Sequence, residues 1–379
     1  MNQSLRHTAF KVQSAVAALV ILVVATPVLA NVGTPLMWVT GGHLLLGNAL
    51  IGVFEGAILA RLFKVRLRRA ILIMIFANYV SMLPGWGIAE LLAHWFETSQ
   101  LRANPLADGW RAIVVSVAAA FLCTIVLEWP FCLWAIWKTG GRSIRALKSS
   151  AILQTASYAV LIPLYSTFSH ISIYTEATIE PDLGFVRQPS AMIYYINPDD
   201  GDIWTIRADG RDKRRALSAG ITERNAWLYV KPAPEADGYD LWCVPPLFPD
   251  RKLIEVVGRM AAPRHDTEPD LWSNFGPYFG MADHLVVNPD CPVAWRAYAG
   301  FWSAEGIGIE KDKRWEYNLA LDTPFVQWFC RNVVILPNDQ ALFQMKDMLL
   351  ILDMPSRKLG FLTIGRGPVV VMNDPPKPH

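Results

Sequence analysis

At 379 residues, with 53% hydrophobic residues and a mean hydropathy of +0.25, the chain is too long for one ordinary domain and too apolar for two soluble ones. Its charge divides at His170: residues 1 to 170 carry 13 Lys+Arg and 5 Asp+Glu, and residues 171 to 379 carry 22 and 28. A net +8 half is thus joined to a net −6 half, and the overall +2 gives no basic footprint for a nucleic-acid partner.

In chain order, five apolar runs come first: Ala15 to Ala30, Leu36 to Ala60, Ala70 to Phe96, Ala112 to Trp137 and Ala151 to Phe168. A run of about 20 apolar residues crosses a hydrocarbon core of about 30 Å, so the expected first half is a membrane α-helical bundle of about five transmembrane helices. Arg61, Lys64, Arg66, Arg68 and Arg69 fill one loop, and Lys138, Arg142, Arg145 and Lys148 another, while the alternate loops are neutral. Arg6 and Lys11 precede the first run. Basic loops stay in the cytoplasm, which predicts a cytoplasmic N-terminus and an exported C-terminal domain, integral to the cell (inner) membrane. The basic start and short core of residues 1–30 also fit a cleavable signal peptide, leaving four spans and the same orientation.

Ionisable groups inside a span are costly and face the bundle or a cavity. Counting along the helices at 1.5 Å per residue places Glu55, Asn78 and Glu128 in one layer on the cytoplasmic side of the midplane, and His43, Glu90 and His94 in the outer half. Asn48, Gly52, Glu55, Gly56 and Ala60 share one helix face, which puts Glu55 on a small-residue packing seam. Ser81 lies on the Asn78 stripe, Thr124 on the Glu128 stripe, and Gln154, Ser157 and Tyr158 offer partners from the last run. These groups either relay a proton or cation or hydrogen-bond to one another and fix helix order. Trp95, Trp110, Trp134 and Trp137 cluster near predicted span ends, where tryptophan anchors at the interface.

After Ser169 the pattern becomes short alternating runs punctuated by Asp-Gly, Pro and Asn, which predicts an all-β exported domain. Asp200-Gly201, Asp209-Gly210 and Asp237-Gly238 sit where hairpin turns need positive φ. Residues 192–217, with Asp200, Gly201, Asp202 and Trp204 in one turn and strand, resemble a blade of the periplasmic propeller family typified by the Tol-Pal translocation protein. Asp240-Leu241-Trp242 repeats Asp202-Ile203-Trp204 after 38 residues, close to a blade's length, and Asp347 with Ser356-Arg357-Lys358 marks a weaker third copy. The resemblance implies a β-propeller or propeller-like fold, of a kind that binds proteins or ligands across its face. The expected division is 1–30 first helix or signal peptide, 31–170 bundle, 171–372 β-domain and 373–379 disordered tail.

No nucleophile elbow, Gly-rich phosphate loop or His-Glu-x-x-His spacing occurs in the membrane half, and the sequence predicts no catalytic residue, metal or cofactor and leans away from an enzyme. Asp199, Asp200 and Asp202 suit calcium less well than a plain turn. Of the exported cysteines Cys243, Cys291 and Cys330, two form one disulfide or all three stay unpaired. The leading expectation is a membrane-anchored extracytoplasmic interaction or scaffold protein, with the lipid bilayer and a protein partner as its contacts. The alternative is a channel, transporter component or proton-relay protein built on Glu55 and Glu128.

Overall fold

The computed structural model describes residues 35–99, 105–137, 143–187, 189–223, 226–232, 239–244, 251–256, 295–299, 306–324, 326–328, 330–336 and 338–371. The chain forms two units: one comprises Met1–Gly87 and Ala120–Phe168, the other Ile88–Ala119 and Ser169–His379.

In the first unit α1 (Pro35–Gly42) passes through a π-helical turn, His43–Gly47, into α2 (Asn48–Phe63). A three-residue turn with Lys64 in the left-handed region, φ 57°, reverses the chain into α3 (Leu67–Ser99). Then come α4 (Pro105–Ile136) and α5 (Ser143–Phe168). Among the described residues three helices are long and apolar enough to cross a membrane: Val39–Phe63, Gly109–Ile136 and Ser143–Phe168.

The five expected spans are therefore not all membrane-like. The first, Ala15 to Ala30, lies outside the described residues. The third, Ala70 to Phe96, belongs to the single long helix α3, which is not among those three. Its polar load, Glu90, His94 and Glu97, falls in its distal part, and from Ile88 onward that helix groups with the second unit.

The α2–α3 contact shows why small residues recur on α2. A Cβ at Gly52 would lie 2.5 Å from Ile75 Cα and 2.6 Å from Ile75 N, and one at Gly56 would lie 2.5 Å from Ile71 Cα. Only glycine lets the two backbones approach this closely. Leu59, Phe63, Ala70, Ile73, Met74 and Ala77 fill the adjacent core with Cys132, Ile136 and Leu153, while Leu45, Leu72, Leu122 and Val160 are exposed on the outside. That inversion of the soluble pattern suits a lipid-facing surface.

In the second unit a short helix, α6 (Ser172–Thr175), leads into β1 (Thr178–Glu180), β2 (Met192–Ile196), β3 (Ile203–Arg207) and β4 (Arg214–Leu217). These are followed by β5 (Trp227–Pro232), β6 (Tyr239–Val244), β7 (Arg251–Val256), β8 (Trp295–Ala299), β9 (Ile307–Lys311) and β10 (Arg314–Leu319). A small β11 (Leu321–Asp322) and β12 (Gln327–Trp328) pair precedes β13 (Cys330–Leu336), β14 (Gln340–Met345), β15 (Met348–Asp353), β16 (Lys358–Ile364) and β17 (Arg366–Val371).

The sheets are β5-β6-β7, β10-β9-β8, β11-β12, β1-β16-β15-β14-β13 and β17-β2-β3-β4. Within each larger sheet, strands consecutive in sequence pair antiparallel; β1 alone joins in parallel, on β16. The last strand completes the first sheet, with Arg366 opposite Ile196 and Val371 opposite Met192.

Side chains alternate between faces along a strand, and here both faces of two sheets are covered. Phe343, Met345, Leu350 and Leu352 pack toward β8–β10, while Leu342, Leu349 and Ile351 pack toward Ile193, Tyr195 and Val370 of the β2 sheet. On the far side of that sheet, Ile196, Ile203 and Val369 meet Leu228, Leu241 and Cys243. Four sheets thus stack in series, and among the described residues they form no closed barrel or propeller. Cys330 is a free, buried thiol and Cys243 is buried; Cys291, the Asp237-Gly238 turn and residues 373–379 lie outside the described residues.

Candidate functional site: a polar cluster inside the bundle

Apolar packing accounts for most of the bundle interior, which makes its polar exceptions informative. Glu55 is fully buried and Glu128 is 1% exposed. From α3, Asn78 Nδ2 donates to Glu55 Oε2 at 2.7 Å and to its own helix at Met74 O, 2.9 Å. From α5, Ser157 Oγ donates to Glu55 Oε1 at 2.6 Å.

Gln154, one turn before Ser157, sits between the two acids: Nε2 lies 2.7 Å from Glu128 Oε2 and 3.2 Å from Glu55 Oε1. Ser81 Oγ lies 3.2 Å from Glu128 Oε1 and 3.2 Å from Asn78 O. Four helices therefore meet through six side chains, all buried. Buried polar groups are tolerated when hydrogen-bonded, and the spacing that achieves it is helical: Asn78 and Ser81 at i, i+3, Gln154 and Ser157 at i, i+3.

Three residues expected at one depth, Glu55, Asn78 and Glu128, are brought together. Thr124 does not join them; its hydroxyl turns back to Ala120 O at 2.7 Å and lies 3.4 Å from Tyr158 Oη. His43 stands apart from the carboxylates, with Nδ1 2.5 Å from Tyr165 Oη and the two rings 5.6 Å apart. Its place in the π-helical turn sets the ring over Gly47, where a Cβ would lie 2.7 Å from His43 Cδ2. Tyr165 was not singled out from sequence, although its spacing from Gln154 and Tyr158, at i+11 and i+7, puts all three on one stripe of α5. The side chains of Glu90 and His94 lie outside the described residues.

In the second unit the residues of the resembled blade form a hub of structural hydrogen bonds. Gly201 takes φ +72°, and a Cβ there would meet Ile221 O at 2.5 Å. Asp200 receives the Trp204 indole N–H at 3.0 Å and the Asp202 N–H at 2.9 Å. Asp202 accepts Ala219 N at 2.9 Å, Gly220 N at 3.3 Å, Ser218 Oγ at 3.1 Å and Arg215 Nη1 at 3.2 Å. Partial desolvation opposes its charge, but the two backbone N–H groups, the hydroxyl and the guanidinium outweigh it and hold the carboxyl below the usual value. With these donors in place its oxygens serve the fold, not a cation.

Asp240 and Trp242 occupy the matching places on the second strand of their own sheet, Trp242 opposite Tyr229 as Trp204 is opposite Tyr195. Asp347, before β15, ties back to the exit of β16 through Arg366 Nε at 2.8 Å and through Gly365 N to its carbonyl, also at 2.8 Å. Asp202 and Gly201 tie back to the exit of β4 in the same way.

The second unit also contains the start of a span. Leu106 of α4 is fully buried among the β-strand side chains, and the Tyr174 hydroxyl donates to Leu106 O at 3.0 Å. A Cβ at Gly109 would run into Tyr174 and Trp328. No family model, curated protein or solved structure matches the chain.

Proposed function

We propose that this chain is a membrane-anchored interaction protein, whose helices hold a β-rich domain outside the cytoplasm to bind a protein partner or envelope ligand. The observation that carries the reading is the seat of α4: the helix that supplies the span Gly109–Ile136 begins with Leu106 in the core of the β-unit. The first turns of that span are thus part of the β-unit's own core.

Support for the orientation comes from the α2–α3 turn, where Lys64, Arg66 and Arg68 are exposed and the positive-inside rule puts such a turn in the cytoplasm. Support for a propeller-like ring comes from the serial antiparallel sheets and from β17, which completes the sheet begun by β2; propellers close by joining first and last strands within one blade. The rival channel or proton-relay reading rests on Glu55 and Glu128. Against it stands Gln154, whose amide donates to both and passes no proton between them.

The test is extraction of the tagged full chain in gentle detergent, with quantification of what co-purifies. A partner present at stoichiometric level, and lost when exposed residues of the β-unit are substituted, supports the reading. A chain that emerges alone and carries protons across liposomes in a Glu55-dependent way overturns it.

A further inference from the structure

The bundle contains an acid pair that the interaction reading does not use, and its hydrogens can be counted atom by atom. The Asn78 amide has two hydrogens, and both are placed, on Glu55 Oε2 and Met74 O. The Gln154 amide has two, one on each carboxyl group. Ser157 has one, on Glu55 Oε1. Glu55 thus receives three donors, and a proton on it would leave the Ser157 hydrogen, which has only Glu55 as its acceptor, without a partner; this is the environment of an ionised carboxylate.

Glu128 differs. It receives one amide hydrogen on Oε2 and has Oε1 beside Ser81 Oγ. The Ser81 hydroxyl owns a single hydrogen yet lies 3.2 Å from two acceptors, Glu128 Oε1 and Asn78 O. A proton on Glu128 Oε1, donated to Ser81 Oγ, frees the serine hydrogen for Asn78 O, and every group is then paired.

We infer that Glu55 and Glu128 form a one-proton acid pair, with Glu55 the carboxylate and Glu128 the carboxylic acid, its proton held on Ser81. Among the described residues neither Glu55 nor Glu128 forms an ion pair; their polar partners are amides and hydroxyls. The other titratable groups that interact with the pair, Cys132 and Tyr158 from α4 and α5, are neutral when protonated. Two like charges sharing one amide in an apolar interior are disfavoured. The bound proton therefore makes the cluster a lock that joins α2, α3, α4 and α5 with a single negative charge.

The assignment gives the two glutamates opposite responses to the same substitution. Glu128→Gln places an amide N–H where the acid proton was and keeps an oxygen for Gln154, so the variant folds with unchanged thermal stability. In Glu55→Gln the N–H₂ must face either the Asn78 amide or the Gln154 amide, both donors, so the variant melts at a lower temperature. Infrared difference spectroscopy of the purified full chain reads the proton itself. The protonated-carboxyl C=O band present in the wild type is lost in Glu128→Gln, and moves to higher frequency in Ser81→Ala because the acid loses its acceptor. If Glu55→Gln fails to fold, these two spectra decide alone. A wild type without the band, a band that survives Glu128→Gln, or a Glu128→Gln protein less stable than Glu55→Gln overturns the assignment.

Discussion

Gly52→Ala is the sharpest probe of the bundle, because one methyl group is set against backbone. Its Cβ would lie 2.5 Å from Ile75 Cα and 2.6 Å from Ile75 N, whereas carbon atoms in contact sit about 3.5–4.0 Å apart. The obstacle cannot rotate away, so α2 and α3 separate by about 1 Å. Overpacking of this kind costs about 1–3 kcal/mol. Asn78, three residues beyond Ile75, moves with α3 and stretches its 2.7 Å bond to Glu55; a hydrogen bond to a charged group contributes about 1.5–3 kcal/mol. With partial relaxation the expected loss is about 3 kcal/mol, read by denaturant titration of helicity in detergent. Gly41→Ala is the control, since nothing lies within 4 Å of a Cβ there, and alanine is worth up to about 1 kcal/mol over glycine in a helix. A Gly52→Ala protein within about 0.5 kcal/mol of wild type refutes the close seam and its coupling to the acid cluster.

Three further expectations concern the β-unit. Asp202 has a lowered value when folded, so its contribution is present above the ordinary carboxylate range and is lost as pH falls through the lowered value; hydrogen exchange at the Ala219 and Gly220 amides should quicken there, and in Asp202→Asn at neutral pH. Burial raises the Tyr195 phenol to about 12 against about 10 in an unfolded chain. Its contribution is therefore complete below pH of about 10 and fades as pH rises toward 12, and tyrosinate absorbance should appear together with loss of β-structure, not before it. Trp328→Ala removes a 2% exposed ring beneath α4 and should cost about 3–5 kcal/mol; an unchanged melting temperature of the full chain would rule out the proposed seat of the helix.

How much of this was open to a reader of the sequence depended on the range of the signal. Depth along a helix is local, so Glu55, Asn78 and Glu128 could be set at one level by counting residues, and the i, i+4, i+7 stripe of Asn48, Gly52 and Glu55 named the seam. Which helix faces which is not local, and neither the Gln154 bridge nor the His43–Tyr165 pair followed from any spacing. The Asp-Gly turns at 200 and 209 announced β-hairpins because positive φ at Gly201 and Gly210 has few other solutions. The pairing of β17 with β2 joins residues near 370 to residues near 193 and leaves no local mark. The seat of α4 was hidden for a different reason: an apolar helix start at Leu106 reads the same whether lipid or a β-sheet covers it, and Trp110, expected as an interfacial anchor, packs its ring edge-on against Tyr174 at 6.3 Å.

The central claim, a β-unit outside the cytoplasm on a chain whose basic turns stay inside, is tested most directly by labelling intact cells with a membrane-impermeant maleimide. Cys132, Cys243 and Cys330 are buried and Cys123 is half-buried in α4, so with Cys123 and Cys291 replaced by serine the native background is low. Single cysteines then go to two exposed positions, Arg211 in the β3–β4 turn and Arg68 at the start of α3. The account predicts that Arg211→Cys reacts in intact cells and that Arg68→Cys reacts only after the membrane is opened. Labelling of Arg68→Cys in intact cells, with Arg211→Cys protected until lysis, would contradict it.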